Sequence, residues 1–164
     1  MRVMRYALAL AVVAPTVTWS QSLPTSAAAE RKGLLQAMEI NVARISPSLE
    51  RTRWSANISL WRIRLNHPDK LEAADLGKMK ASFDTISTIV AQIRAADEKE
   101  RWEANRTLWA AVIDHAGTPP PAARAGMAAA LKVMESNVMV ISANGEWERW
   151  QANFQLWKAM MESK

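Results

Sequence analysis

Arg53-Trp54-Ser55-Ala56-Asn57-Ile58-Ser59-Leu60-Trp61 recurs 48 residues later, without a gap, as Arg101-Trp102-Glu103-Ala104-Asn105-Arg106-Thr107-Leu108-Trp109. A further 48 residues on it returns as Arg149-Trp150-Gln151-Ala152-Asn153-Phe154-Gln155-Leu156-Trp157. Tryptophan is a rare residue, and six of the eight in this chain fall in this register, so chance is not an explanation. The register also runs backwards. Glu50, Glu98 and Glu146 align, as do Ile45, Ile93 and Ile141, then Val42, Val90 and Val138. Met38, Ile86 and Met134 follow, with Leu35, Phe83 and Leu131 behind them. Self-similarity at a fixed period of this length is the signature of a repeat architecture. The units run over about 31–65, 79–113 and 127–161.

Each unit reads as two helical segments. In the first copy Leu35, Met38, Val42 and Ile45 are spaced by 3, 4 and 3, which draws one apolar stripe along a helix over 31–45. The second segment covers 49–65, and its repeated positions Glu50, Arg53, Trp54, Asn57, Leu60 and Trp61 share one side of a helix. Its variable positions Ser55, Ser59 and Arg62 lie on the other side. Ser46-Pro47-Ser48 separates the two segments with an N-cap and a proline at the first helical position. Asn144-Gly145 does similar work in the third copy, and Asp97-Glu98-Lys99-Glu100 offers a capping box in the second. Asn66-His67-Pro68-Asp69 and Gly117-Thr118-Pro119-Pro120-Pro121 mark loops between units. The expected fold is all-α, with three tandem helical hairpins stacked side by side. The alternative is a bundle of three long helices, each fusing both segments of a unit. The weak breakers of the second copy are what keep it open.

The repeated residues admit two readings. In the first they are core: Trp and Leu at helical spacing pack inward, and Asn within an apolar stripe fixes register by hydrogen bonding between helices. In the second they form a ligand- or partner-binding face. Its candidates are Glu50, Arg53, Trp54, Asn57 and Trp61, then Glu98, Arg101, Trp102, Asn105 and Trp109, then Glu146, Arg149, Trp150, Asn153 and Trp157. Aromatic faces stack on planar, sugar-like or cationic ligands while polar groups orient them. Three copies give three equivalent subsites, or one site on a pseudo-threefold axis where the glutamates attract a cation. The spacing contains no Glu-x-x-His metal pattern, so no metal ligands are assigned. His67 and His115, also 48 apart, suit the negative ends of helix dipoles. Asn57-Ile58-Ser59 and Asn105-Arg106-Thr107 match the glycosylation sequon, but within a helical stripe they are not expected to carry sugar.

Composition narrows the function classes. There are no cysteines, which removes disulfides, thiolate metal sites and a cysteine nucleophile. The chain has no Gly-rich phosphate loop and no nucleophile elbow, so no catalytic residues and no cofactor are expected. A triplicated motif also fits poorly with an active site, which gathers different roles at one place. The net charge is +5. Arg2 and Arg5 supply two of these charges, while the chain from Glu30 onward has 19 basic and 16 acidic residues intermixed. No nucleic-acid partner is expected from that mixture.

Residues 1–29 read as a signal segment. Arg2 and Arg5 precede an apolar run from Tyr6 to Val17, and cleavage sites follow near Ser20 or within Ser26–Ala29. The run is shorter than the roughly 20 residues that span a bilayer, so membrane association is expected only through an uncleaved N-terminus. The remaining residues, 30–164, form one domain. The functional expectation is a periplasmic or secreted, non-enzymatic interaction module, whose partner is another envelope or secreted protein. The alternative is a small-ligand or cation carrier using the repeated face.

Overall fold

The computed structural model describes residues 27–162, and within them the protein is all-helical. Of the signal segment read over residues 1–29, residues 1–26 lie outside the described residues, and residues 27–29 begin the first helix. The helices are α1 (Ala27–Ala43), α2 (Leu49–Asn66), α3 (Ala73–Val90), α4 (Ala96–Asp114), α5 (Pro121–Val138) and α6 (Asn144–Glu162). Each spans 17 to 19 residues, or about 27 Å at 1.5 Å per residue. They pair as three hairpins, so the fused three-helix alternative is not what forms. None of the described helices is long and apolar enough to cross a membrane.

Helix ends follow from local chemistry, with some departures from expectation. Ser48 caps α2, its hydroxyl accepting from Arg51 N–H at 3.2 Å, so Pro47 stands one residue outside the helix rather than at its first position. The capping box at Asp97 does not form, because α4 starts earlier, with Ala95 at the cap and no side-chain hydrogen bond there. Asp97 instead lies in the first turn, where the backbone N–H of Glu98 lowers its pKa. His67 and His115 occupy the C-cap positions of α2 and α4, as the dipole argument requires. At the end of α4 the chain reverses through Ala116 (φ 48°) and Gly117 (φ 89°). Gly117 N–H returns to Val112 O at 2.8 Å, closing the helix.

The hairpins do not extend as an open stack. Each helix packs on its neighbours in sequence, and α6 packs back on α1, so the six form a closed ring. Neighbouring hairpins pack on each other more extensively than the two helices within one hairpin do. All three hairpin turns (44–48, 91–95 and 139–143) therefore fall at one end of the ring. The linkers 67–72 and 115–120 fall at the other. Helices α1, α3 and α5 deliver Met38, Ile86 and Met134, and then Val42, Val90 and Val138, all essentially without solvent contact. Leu71 of the first linker is buried too, with its N–H on Ala116 O at 3.3 Å.

Two glycine substitutions separate backbone demand from helix propensity. A Cβ on Gly117 meets Leu71 Cγ at 3.2 Å in a left-handed backbone. Gly117→Ala should therefore destabilise by about 1–2 kcal/mol. Gly33, inside α1, has open space around it. Gly33→Ala should stabilise by up to about 1 kcal/mol. Urea denaturation of the two variants should show these opposite signs.

Candidate functional site

The repeated signature converges on the axis of the ring. Spacings of 3 and 4 place residues 54, 57 and 61 on one face of α2, and the same holds at the matching positions of α4 and α6. The Cα atoms of α2, α4 and α6 stay more than 8 Å from one another, so the space between these helices is filled by side chains. That filling is layered.

Nearest the hairpin turns is a ring of charges. Arg53 donates to Glu98, Arg101 to Glu146 at 2.7 Å and Arg149 to Glu50 at 2.6 Å. Each guanidinium also lies over the tryptophan of the next unit, Arg53 over Trp102 at 4.5 Å, Arg101 over Trp150 and Arg149 over Trp54 at 5.7 Å. The arginines are buried and the glutamates half-buried. Burial lowers the Arg53 pKa, with Glu98, Glu50 and Glu146 opposing the shift.

Below the charges, Trp54, Trp102 and Trp150 meet edge to face with ring centroids 4.9 Å apart. Next come the three asparagines. Asn57 Nδ2 donates to Asn153 Oδ1 at 2.9 Å, Asn153 to Asn105 at 3.1 Å, and Asn105 back to Asn57 at 3.0 Å. The circle is complete. Beneath it Trp61, Trp109 and Trp157 form a second triangle at 4.5–4.7 Å. Their indole N–H groups donate upward to the carbonyls of Asn153, Asn57 and Asn105 at 2.8, 2.8 and 2.9 Å. Each asparagine oxygen thus accepts two hydrogen bonds. Two copies use their amide further, with Asn57 reaching Met38 Sδ at 3.8 Å and Asn153 reaching Met134 Sδ at 3.7 Å. The second copy has Ile86 at that place.

The candidate binding residues therefore divide. All six repeated tryptophans and all three asparagines are interior, at 0–1% exposure, with neighbours on every side. They present no open aromatic face, and the sequons at Asn57 and Asn105 are closed to a glycan. The glutamates and arginines reach the turn end, where Glu50, Glu98, Glu146, Arg53 and Arg101 line a cavity of ≈260 Å³ that also has Trp54, Asp97 and Trp150 in its wall. Arg53, Arg101 and Arg149 Nε and Trp102 Nε1 are buried without a hydrogen-bond acceptor. Among the described residues no three His, Asp or Glu side chains gather where they could hold a metal ion. The repeated carboxylates are engaged by guanidinium groups.

One residue of this network is not repeated. Asn41 on α1 is buried, accepts from Arg149 Nη1 at 2.8 Å and donates to Glu148 at 2.8 Å. Its counterparts 48 and 96 residues on are Ile89 and Asn137, and neither makes this pair of bonds. It ties α1 to α6, the seam that closes the ring. The sequence signal was a polar residue beside the apolar stripe position Val42. That signal is weak, since exposed asparagines are common.

No protein family, characterised protein or solved structure matches this chain.

Substitution of an axial asparagine tests the layer. Asn57→Ala removes the acceptor of two buried donors, Asn105 Nδ2 and Trp109 Nε1. At roughly 1–3 kcal/mol for each orphaned donor, the variant should lose roughly 2–6 kcal/mol. Asn105→Ala and Asn153→Ala should melt within about 1 kcal/mol of it, because each orphans the same pair of donors, one asparagine amide and one tryptophan indole. Calorimetric melting of the three variants checks both the size and the likeness.

Proposed function

We propose that this protein is an exported, non-enzymatic interaction module whose binding surface is an apolar patch that breaks its own threefold repetition. The repeated signature is consumed in holding the ring together, so it leaves the outer surface to define function. Among the described residues, five large apolar side chains are exposed at the turn end: Ile40, Leu49, Met139, Val140 and Trp147. They come from the first and third units, which adjoin at the α1–α6 seam.

The second unit has Thr88, Asp97, Ala91, Gln92 and Lys99 at the matching positions. Repetition therefore does not account for the apolar residues. Nor does packing, since Met139 and Val140 are more than two-thirds exposed. Clustered exposed apolar residues in a monomer mark interaction sites. In sequence, Arg44 and Arg51 lie near Ile40 and Leu49, and Glu148 follows Trp147. An apolar centre with a rim of both signs suits a protein partner. An anionic bilayer would favour cations alone.

Photocrosslinking in the native host tests this reading. A benzophenone amino acid at position 147 or 139 should give one discrete protein adduct, and the same probe at positions 99 and 91 should give none. Leu49→Glu should reduce the adduct at 147 about tenfold without changing the melting temperature. Equal labelling at 147 and 99, or an adduct indifferent to Leu49→Glu, would overturn the proposal.

A further inference from the structure

The three hairpins are not closed alike on their outer sides. In the first, Arg62 of α2 reaches across to Glu39 of α1 at 2.7 Å, and Arg51 turns back onto Ile45 O at 3.2 Å. In the second, Arg106 of α4 donates to the Ser87 hydroxyl of α3 at 3.1 Å and lies over Phe83. An arginine thus crosses between the two helices in each. The third hairpin has no arginine at these positions. Phe154 stands at the place of Arg106, Trp147 at that of Arg51 and Lys158 at that of Arg62. Lys158 makes no ion pair with Glu135, the counterpart of Glu39.

A groove of ≈260 Å³ is open at this place, between α5 and α6. Leu131, Phe154 and Met161 are its least exposed lining residues, and Ala128 is exposed beside them. Trp147, Phe154 and Met161 follow one another at a spacing of seven, which sets them on one face of α6 over about 21 Å. The same positions hold Arg51, Ile58 and Leu65 in the first unit and Lys99, Arg106 and Ile113 in the second. The third unit alone is apolar at all three. This stripe begins in the exposed patch, at Trp147, and runs into the groove, so the two surfaces are continuous. Lys132, Glu135, Lys158 and Glu162 also line the groove, and their side chains form no ion pair within the fold.

We propose that the outer face of the third hairpin receives an amphipathic helix of the partner protein. Its apolar residues lie along Trp147, Phe154 and Met161, and its charges of both signs meet Lys132, Glu135, Lys158 and Glu162. The proposal rests on the reading of the turn-end patch as a protein-binding surface and extends that surface along the hairpin. A groove between two helices is the complement of a third, whose ridge of side chains enters it. The stripe is as long as about four helical turns. A helix brings its own backbone hydrogen bonds. An extended segment would bury unpaired N–H and C=O groups here, because α5 and α6 have no open backbone edge to offer it.

Photocrosslinking of the full chain in its native host tests this, with the attachment points on the partner read by mass spectrometry. Benzophenone probes at positions 147 and 158 are eleven residues, or about 16 Å, apart on α6. Both should label one partner protein, at points about eleven residues apart in its sequence. An extended segment would cover the same distance in about five. A probe at 110, the counterpart of 158 in the second unit, should give no adduct. Phe154→Arg, which copies Arg106, and Ala128→Arg, at an exposed position on the groove, should each reduce the adduct at 158 about tenfold. Ala128→Arg should melt with the unsubstituted chain, so a folding defect in Phe154→Arg leaves the test intact. An adduct at 147 with none at 158 would overturn this inference and leave the patch in place. Loss of both would overturn the patch reading as well. Attachment points about five residues apart, attachment to a second copy of this chain, or an adduct at 158 indifferent to both arginines would each overturn the helix.

Discussion

Three carboxamides meet on the axis of this protein, and each of their carbonyl oxygens accepts from one asparagine and one tryptophan. The arrangement closes only when three helices contribute at the same height. Two units would leave a donor and an acceptor open in a fully buried place, and an unsatisfied buried polar group costs more than a satisfied one contributes. The asparagine layer thus sets the number of units and their register together. The tryptophan triangles above and below it keep water out, and each edge-to-face pair adds about 0.5–1.5 kcal/mol beyond the area it buries.

The charge ring depends on that layer and complements it. Arginines donate from α2 to α4, from α4 to α6 and from α6 to α2, while the asparagine bonds run around the axis in the opposite sense. Rotation of one hairpin against the next would lengthen bonds in both rings. The α6–α1 seam has no linker across it and gains Asn41, whose bonds to Arg149 and Glu148 have no counterpart elsewhere in the ring. Symmetry at the axis thus coexists with asymmetry at the periphery. The proposed functions belong to the periphery, where the units differ.

Much of this was legible in the sequence. The 48-residue register located six helices, their stripes and the loops between them, because burial repeats wherever an interface repeats. Ser46-Pro47-Ser48 was readable as a helix start, but with Pro47 at the first helical position; the cap is one serine later, at Ser48, whose hydroxyl accepts from Arg51 N–H. Asp97 misled because a capping-box pattern competes with where the preceding turn happens to end. Closure was not legible. Whether identical hairpins stack in a line or curl into a ring depends on the angle between them, which tryptophan bulk at the axis determines and periodicity does not report. For the same reason the Trp/Asn stripe could be read as core or as an open face. Spacing places Asn57 between Trp54 and Trp61 but is silent on Asn105 and Asn153 lying across from it. The peripheral surfaces were missed outright, since they lie where the units depart from the repeat rather than where they share it.

The central claim is that the tryptophan indoles of the second triangle are locked to asparagine carbonyls inside a closed ring. Hydrogen exchange of the indole N–H groups, followed by nuclear magnetic resonance, addresses it directly. The Nε1 protons of Trp61, Trp109 and Trp157 should exchange only through global unfolding and share one protection factor, while that of the half-exposed Trp147 exchanges freely. Three indole protons exchanging at rates like that of Trp147, or at three widely different rates, would contradict the closed threefold core.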